Sequence, residues 1–240
     1  MSDRRQSVIG LSLAAAVMGG WLALHVWSVF FLELSPVVAL SAPVLIAALT
    51  WLSVGLFIVA HDAMHGSLAP RRPGVNRAVG TACLLIYAGF WFARLLPKHY
   101  AHHRSPGTAD DPDFHAERPG AFWPWYARFF TRYFGWREFA WVAAVSALYL
   151  LLGANLLNVW LFWAAPALLS SLQLFAFGTW LPHRVEADAF ADEHHARSNG
   201  FPKWLSLLTC FHFGGYHHEH HTHPHLPWWR LPEARSSRPA

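Results

Sequence analysis

The chain has 240 residues, enough for one or two soluble domains, yet 54% are apolar, only 13% are charged and 14 are tryptophan. Ordinary globular domains carry about 25% charged residues, so this composition excludes an ordinary soluble protein and points to a single bilayer-embedded domain. The net charge of +4 comes with arginines scattered among apolar segments, which fits a membrane surface better than nucleic acid, and Cys83 and Cys210 alone make neither a disulfide framework nor a thiolate metal site.

Residues 1–6 are polar, and from about 8 to 32 the chain is apolar apart from Ser12, His25 and Ser28. That run exceeds a signal-peptide core and can cross a hydrocarbon layer, which needs ~20 residues. His25, alone inside it, reads as a packed or lipid-edge histidine rather than a ligand. Glu33-Leu-Ser-Pro36 breaks the chain, and a second apolar run over 37–60 ends in His61-Asp-Ala-Met-His65. The two form a transmembrane hairpin. Residues 66–78 are polar. The stretch 78–96 is marginal in length and reads as a helix or broken helix partly at the interface, leading into His99-Tyr-Ala-His102-His103. The segment 99–119 is the most polar of the chain, and 121–137 mixes tryptophan, phenylalanine and arginine as an interfacial helix does. Apolar runs over 139–153 and 159–181 form a second hairpin, followed by the polar tail 183–240.

Fold class follows: an all-α integral membrane protein, one domain over 1–240, with about four spanning helices in two hairpins, interfacial helices and a histidine-rich cap formed by 61–138 and 183–240. All 18 lysines and arginines lie in the N-terminal tail, in 66–138 or in the C-terminal tail. The positive-inside rule makes those regions, both termini among them, cytoplasmic. Sixteen of the 17 histidines share that side.

Histidine spacing carries the chemistry. His217, His220 and His221 stand at i, i+3 and i+4, as do His99, His102 and His103, so on helices the rings of each box leave one face and are expected to converge on a common point. His61 and His65 are at i, i+4. Leu181-Pro-His183 adds a further imidazole at the end of the last span. A mononuclear zinc site needs three or four protein ligands. Nine imidazoles are too many for one ion and suit two, with positions left open. Imidazole alone does not choose among zinc, copper, nickel and iron. The zinc-protease pattern fails because Thr222 stands where its second histidine belongs, and neither a Ser-His-Asp arrangement nor a phosphate-binding glycine loop has support. Among the acids, Asp62, Asp110, Asp111, Asp113 and Glu219 are candidates to bond the non-ligating ring nitrogens; for Asp110 to Asp113 the alternative is a turn set by Pro112. His218 fits the ligand spacing less well than His217 and joins the supporting set. His223 and His225 flank Pro224 as supports, and His194 and His212 are supports or interface residues. Trp51, Trp91, Trp123, Trp125 and Trp180 line a substrate tunnel or form an interfacial belt.

The boxes His-x3-His, His-x2-His-His and His-x2-His-His, set between hairpins, resemble the membrane fatty acid desaturase and hydroxylase superfamily. Three local sequences resemble more narrowly the bacterial β-carotene ketolases of the CrtW type: His61-Asp-Ala-Met-His-Gly-Ser67, His99-Tyr-Ala-His-His-Arg-Ser-Pro-Gly-Thr-Ala-Asp-Asp-Pro-Asp113, and Phe211-His-Phe-Gly-Gly-Tyr-His-His-Glu-His-His221 through Pro227-Trp-Trp-Arg-Leu-Pro232. Phe177-Gly-Thr-Trp-Leu-Pro-His-Arg184 is similar too, and one departure falls at His194-His195, where the family pattern implies His-Asn. The resemblance, over about 55–232, implies two iron ions held by histidine and dioxygen as cosubstrate. It implies oxidation of the ring carbon 4 methylene of β-ionone rings to a ketone, by two hydroxylations and loss of water. β-Carotene would give echinenone and canthaxanthin, and zeaxanthin would lead towards astaxanthin, in a bacterial inner membrane. No flavin or nicotinamide motif is present, so electrons are expected from a separate donor such as ferredoxin, for which the basic face offers a dock. Two alternatives compete: a carotenoid hydroxylase or fatty acyl desaturase of the same superfamily, and a membrane metal-binding protein using histidines as a relay.

Overall fold

The computed structural model describes residues 1–186 and 188–236, and among them every regular element is helical. Helix α1, Asp3–Val26, starts at Ser2, whose side chain accepts from the Arg5 N–H, and runs on through a π turn at Trp27–Phe31. Ser35 caps α2, Pro36–Met64, in the same way, with Pro36 in the first turn where its missing N–H has no partner to lose. Helix α3, Pro73–Ala88, stops at Gly89, which takes the left-handed φ of 75° that a glycine adopts without strain. The chain then turns by 99° into α4, Phe92–Arg104. Next come α5, Phe122–Tyr133, and α6, Trp136–Leu151. Helix α7, Leu156–His183, contains two π turns, Trp160–Ala164 and Ala176–Trp180. The tail adds α8, Lys203–Cys210, α9, His217–Thr222, a 3₁₀ turn at Trp228–Arg230 and α10, Leu231–Ser236.

Three of these segments are long and apolar enough to cross a membrane: Asp3–Phe31, Leu40–Met64 and Leu156–His183. They carry the expected spans 8–32, 37–60 and 159–181. The fourth expected span, 139–153, falls on α6, whose 16 residues reach about 24 Å at 1.5 Å each, short of the ~30 Å hydrocarbon layer. Among the described residues, the bent pair α3 and α4, taken as one broken span, is the fourth candidate by length and composition. The 78–96 stretch is thus a broken helix, with its break at Gly89 and not a continuous rod.

Helix α2 is the centre of the bundle, packed by α1, α3 and α7. At Gly80 on α3 a β-carbon would stand 3.2 Å from Ala63 Cβ and 2.7 Å from Phe92 Cδ2, so the close α2–α3 approach needs a glycine there. Between apolar helices in lipid, polar ties take over part of the holding. Trp21 Nε1 donates to Ser53 Oγ at 3.0 Å, and Asn158 Nδ2 donates to the Leu32 carbonyl at 2.8 Å. His25 is one of these ties: its ring stacks on Trp21 and its Nε2 lies 3.0 Å from Tyr149 Oη. The tail folds back over the ends of α1 and α2. Gln6 Nε2 donates to the His225 carbonyl at 3.4 Å, and the Trp228 N–H donates to the buried Asp62 carboxylate at 3.1 Å. These ties lay α9 across the ends of α2, α4 and α7, and every histidine box arrives at one place.

Candidate metal centre

Nine imidazoles meet where four helices end, and they sort into two groups. His61, His65, His99, His103 and His220 each offer a ring nitrogen within 4.8 Å of the others; His102, His183, His217 and His221 do the same a short way off. Within the first group His65 Nε2 stands 2.6 Å from His99 Nε2, and His103 Nε2 stands 3.0 Å from His220 Nε2. In the second, His217 Nε2 lies 2.9 Å from His183 Nε2 and 3.1 Å from His221 Nε2. The groups adjoin, for His103 and His221 stack with ring centroids 4.4 Å apart.

The expectation that each His-x-x-His-His box aims at one point needs correction. At about 100° per residue, positions i and i+4 leave the helix about 40° apart, whereas i+3 lies about 60° to the other side. On α4 the pair His99 and His103 therefore joins the first group while His102 joins the second. On α9 the assignment is reversed: His217 and His221 join the second group, His220 the first. Each box serves both centres, and His183 completes the second.

Burial keeps most of these rings uncharged; at His102 the Asp111 carboxylate outweighs burial and raises the ring above its ordinary value. His65 is pushed down to about 3, and His217, His220 and His221 lie well below the usual imidazole value, through loss of solvent first and through neighbouring imidazoles second. A neutral ring keeps the lone pair that a metal needs. Two rings of the second group have their tautomer set by what they touch. His102 Nδ1 lies 3.0 Å from both carboxylate oxygens of Asp111, and His183 Nδ1 lies 2.7 Å from the His195 carbonyl, so in both the free lone pair is on Nε2. Burial pushes the Asp111 carboxyl up, but the His102 bond and the Gly107 and Asp113 N–H groups outweigh it and hold the group below its ordinary value.

Of the other acids named from sequence, Asp113 lies 3.8 Å from His102 Nδ1, a looser contact than that of Asp111. Asp110 is exposed. Asp62 bonds the Trp228 N–H and so ties the tail to α2. Glu219 takes Arg235 Nε at 3.0 Å and the Ser198 hydroxyl; burial raises it, yet these bonds hold it below the ordinary value. His218 Nε2 lies 2.6 Å from Asp192 Oδ2, and Asp113 accepts from Tyr133 Oη. His194, His223 and His225 stay outside both groups, while His212 stacks on Trp228. Three contributors escaped the sequence reading: Ser198 and Arg235, which brace Glu219 on α9, and the His195 main chain. His195 sits at a positive φ of 43°, a conformation that Asn, Asp and His tolerate best among side-chain-bearing residues. An asparagine at this place in the family pattern would have been a usable sign.

An apolar cavity of about 400 Å³ adjoins both groups. It runs from the histidines past Phe57, Phe129 and Leu174 to Phe139, Trp160 and Leu168, which are exposed on the outer face of α6 and α7.

A sequence profile of fatty acid desaturases matches residues 34–144 and 132–239. The chain is 51% identical to a β-carotene ketolase of Paracoccus sp. (strain PC1) over 96% of its length and 94% of that protein's. This observation decides the family. The chain belongs to the β-carotene ketolase branch of the fatty acid desaturase family. A β-carotene ketolase of Haematococcus lacustris is 36% identical, covering 94% of this chain and 78% of its own. A zeaxanthin 4-ketolase of Chlamydomonas reinhardtii is 35% identical over 96% of this chain, which spans 54% of that longer relative. The family match and the two imidazole groups together point to a metal site, and these groups are the residues that could hold it. All-nitrogen donors fit a first-row metal such as iron, and sets of five and four leave room at each centre for exogenous ligands.

Proposed function

We propose that this protein is a carotenoid 4-ketolase, a membrane oxygenase that turns the ring carbon 4 methylene of a β-ionone ring into a ketone. The observation that carries this reading is two adjoining imidazole groups at the end of an apolar cavity whose far lining reaches the lipid-facing side of α6 and α7. Two irons held by His61, His65, His99, His103 and His220 and by His102, His183, His217 and His221 would supply activation of dioxygen.

What the chain itself does can be derived. The cavity takes an end ring and the first part of the polyene, and the remainder of the molecule stays in the bilayer, so substrate enters sideways. Phe57, Phe129, Phe213 and Leu174 pack the ring and exclude water. Asp111 and the His195 carbonyl hold His102 and His183 with Nε2 turned inward. The first hydroxylation at carbon 4 uses one dioxygen, two electrons and two protons and releases water. The second, at the same carbon, gives a geminal diol that loses water to the ketone. β-Carotene would thus become echinenone and canthaxanthin, and zeaxanthin would be carried towards astaxanthin. Electrons come from a separate soluble donor such as ferredoxin, in keeping with a chain that has no flavin or nicotinamide motif. Basic residues in the N-terminal tail, in 66–138 and in the C-terminal tail support an orientation with both termini and the metal site on the cytoplasmic side of a bacterial inner membrane.

Expression in a β-carotene-producing bacterium tests the reading. Canthaxanthin is the expected pigment; zeaxanthin alone, or unchanged β-carotene from an iron-loaded preparation, overturns it.

A further inference from the structure

The cavity that receives the ring is apolar, and nearly every hydroxyl on its wall is already bonded within the protein. Tyr87 Oη lies 3.0 Å from Ser170 Oγ, Ser171 Oγ lies 2.8 Å from Tyr126 Oη, and Tyr133 Oη donates to Asp113. Thr179 is different. It lines the cavity, the residue is only 7% exposed, and its hydroxyl, open to the cavity, has no hydrogen-bond partner among the described residues.

The cause is local. A threonine inside an α-helix ordinarily bonds back to a carbonyl one turn earlier, as Thr50 does to Ile46 at 2.7 Å and Thr131 to Ala127 at 2.8 Å. Thr179 stands in the π turn Ala176–Trp180, where the ladder is re-registered, and it makes no such bond. Such turns recur at functional sites because the extra residue re-aims side chains. Thr179 is four residues before His183, on the same face and roughly 6 Å from it. Beside it Gly178 contributes no side chain, so the wall there is open as far as Cys210, whose Sγ would lie 3.8 Å from a β-carbon at Gly178.

We propose that Thr179 recognises a hydroxyl on the ring carbon next to the one oxidised, and so sets the preference between 3-hydroxylated and plain β-rings. When carbon 4 faces the imidazole groups, the substituent on carbon 3 is one bond further out, within reach of a hydroxyl one helical turn from His183. The Thr179 hydroxyl gains there the partner the fold denies it. A plain ring covers it without offering a bond. A site built around such a bond discriminates against the analogue that lacks it. The proposal rests on the ketolase reading for the orientation of the ring.

The test measures binding separately from turnover. The full-length protein in detergent, without reductant, is titrated with zeaxanthin and with β-carotene while quenching of tryptophan fluorescence is followed; Trp160 and Trp163 line the cavity. The wild type is expected to prefer zeaxanthin. Thr179→Val, which keeps the size and removes the hydroxyl, should lower the ratio of zeaxanthin to β-carotene affinity by about 5- to 30-fold, and Thr179→Ser should restore it. Thr179→Ala serves if the valine variant does not fold. A ratio within twofold of wild type in the hydroxyl-free variant, or equal loss for both pigments, overturns the proposal. Pigment analysis of the wild type is scored apart: absence of any ketone sinks the ketolase reading, while the affinity ratio still decides the role of Thr179.

Discussion

The two imidazole groups come from the same helices and differ in how they are held. In the second, His102, His183, His217 and His221 are all buried, and two of the four are oriented by Asp111 and by a main-chain carbonyl. In the first, His220 alone is fully buried, four rings are half-buried, and the nearest neighbours are other imidazoles. One centre is fixed by its surroundings and the other by the number of its ligands. A buried set of four, two of them oriented, has little redundancy, while five crowded donors could lose one and still hold a metal.

The largest effect expected from that difference is on the second centre. His217→Ala leaves three imidazoles there and should lower ketone formation on the order of 10³-fold. Metal analysis should show the content falling from about two per chain to about one, with membrane insertion intact. His65→Ala, which takes one ring from five, should retain more metal than His217→Ala; the opposite ranking would overturn the contrast. A smaller loss is expected for Asp111→Asn. Replacing the partner that orients a ligand typically costs 10- to 100-fold in metal affinity, so iron should leave this variant at a lower chelator concentration, with His102 and not the first group affected.

A pH series sharpens the same comparison. His65, His217, His220 and His221 have pKa values lowered in the folded protein, against an unfolded value near 6.5. Between those values the unfolded chain binds protons that the folded one refuses, so stability is lost as pH falls below about 6.5, by up to ~1.4 kcal/mol per pH unit for each ring. Metal-free protein should melt at a lower temperature at pH 5.5 than at pH 7.5. A melting temperature that rises on acidification would contradict the neutral-ring assignment.

How legible was this in the sequence? Apolar runs placed α1, α2 and α7 because a bilayer-crossing helix must be long and apolar, and both properties are local. The nine histidines could be named because spacing on a helix fixes which rings share a face. Their division into two groups was hidden, since it depends on how α4 and α9 are rotated relative to each other, a long-range property set by ties such as Asp62 to Trp228. Asp111 and Asp110 were equivalent in sequence and differ only in which one the turn buries. α6 differs from the expected span because composition does not report where a helix ends: it carries exposed apolar residues such as Phe139 and Leu148, but it stops after 16 residues. Arg235, Ser198 and Thr179 act through position alone, and no local pattern marks them.

The smallest predicted effect concerns His195, where the family resemblance implies an asparagine. Its work is done by the main chain: the carbonyl fixes His183 while φ is held at 43°, and the ring Nδ1 lies 2.8 Å from the Pro106 carbonyl. If the conformation is what matters, asparagine should serve nearly as well, because it tolerates the left-handed region and carries a donor of its own. His195→Asn should keep ketone formation within about threefold. His195→Val puts a branched side chain where that φ is strained, at a cost on the order of 1–3 kcal/mol, and should loosen the second centre with metal loss resembling that of Asp111→Asn. Equal effects of the two replacements would mean that the imidazole bond to Pro106, and not the backbone geometry, is what holds His183 in place.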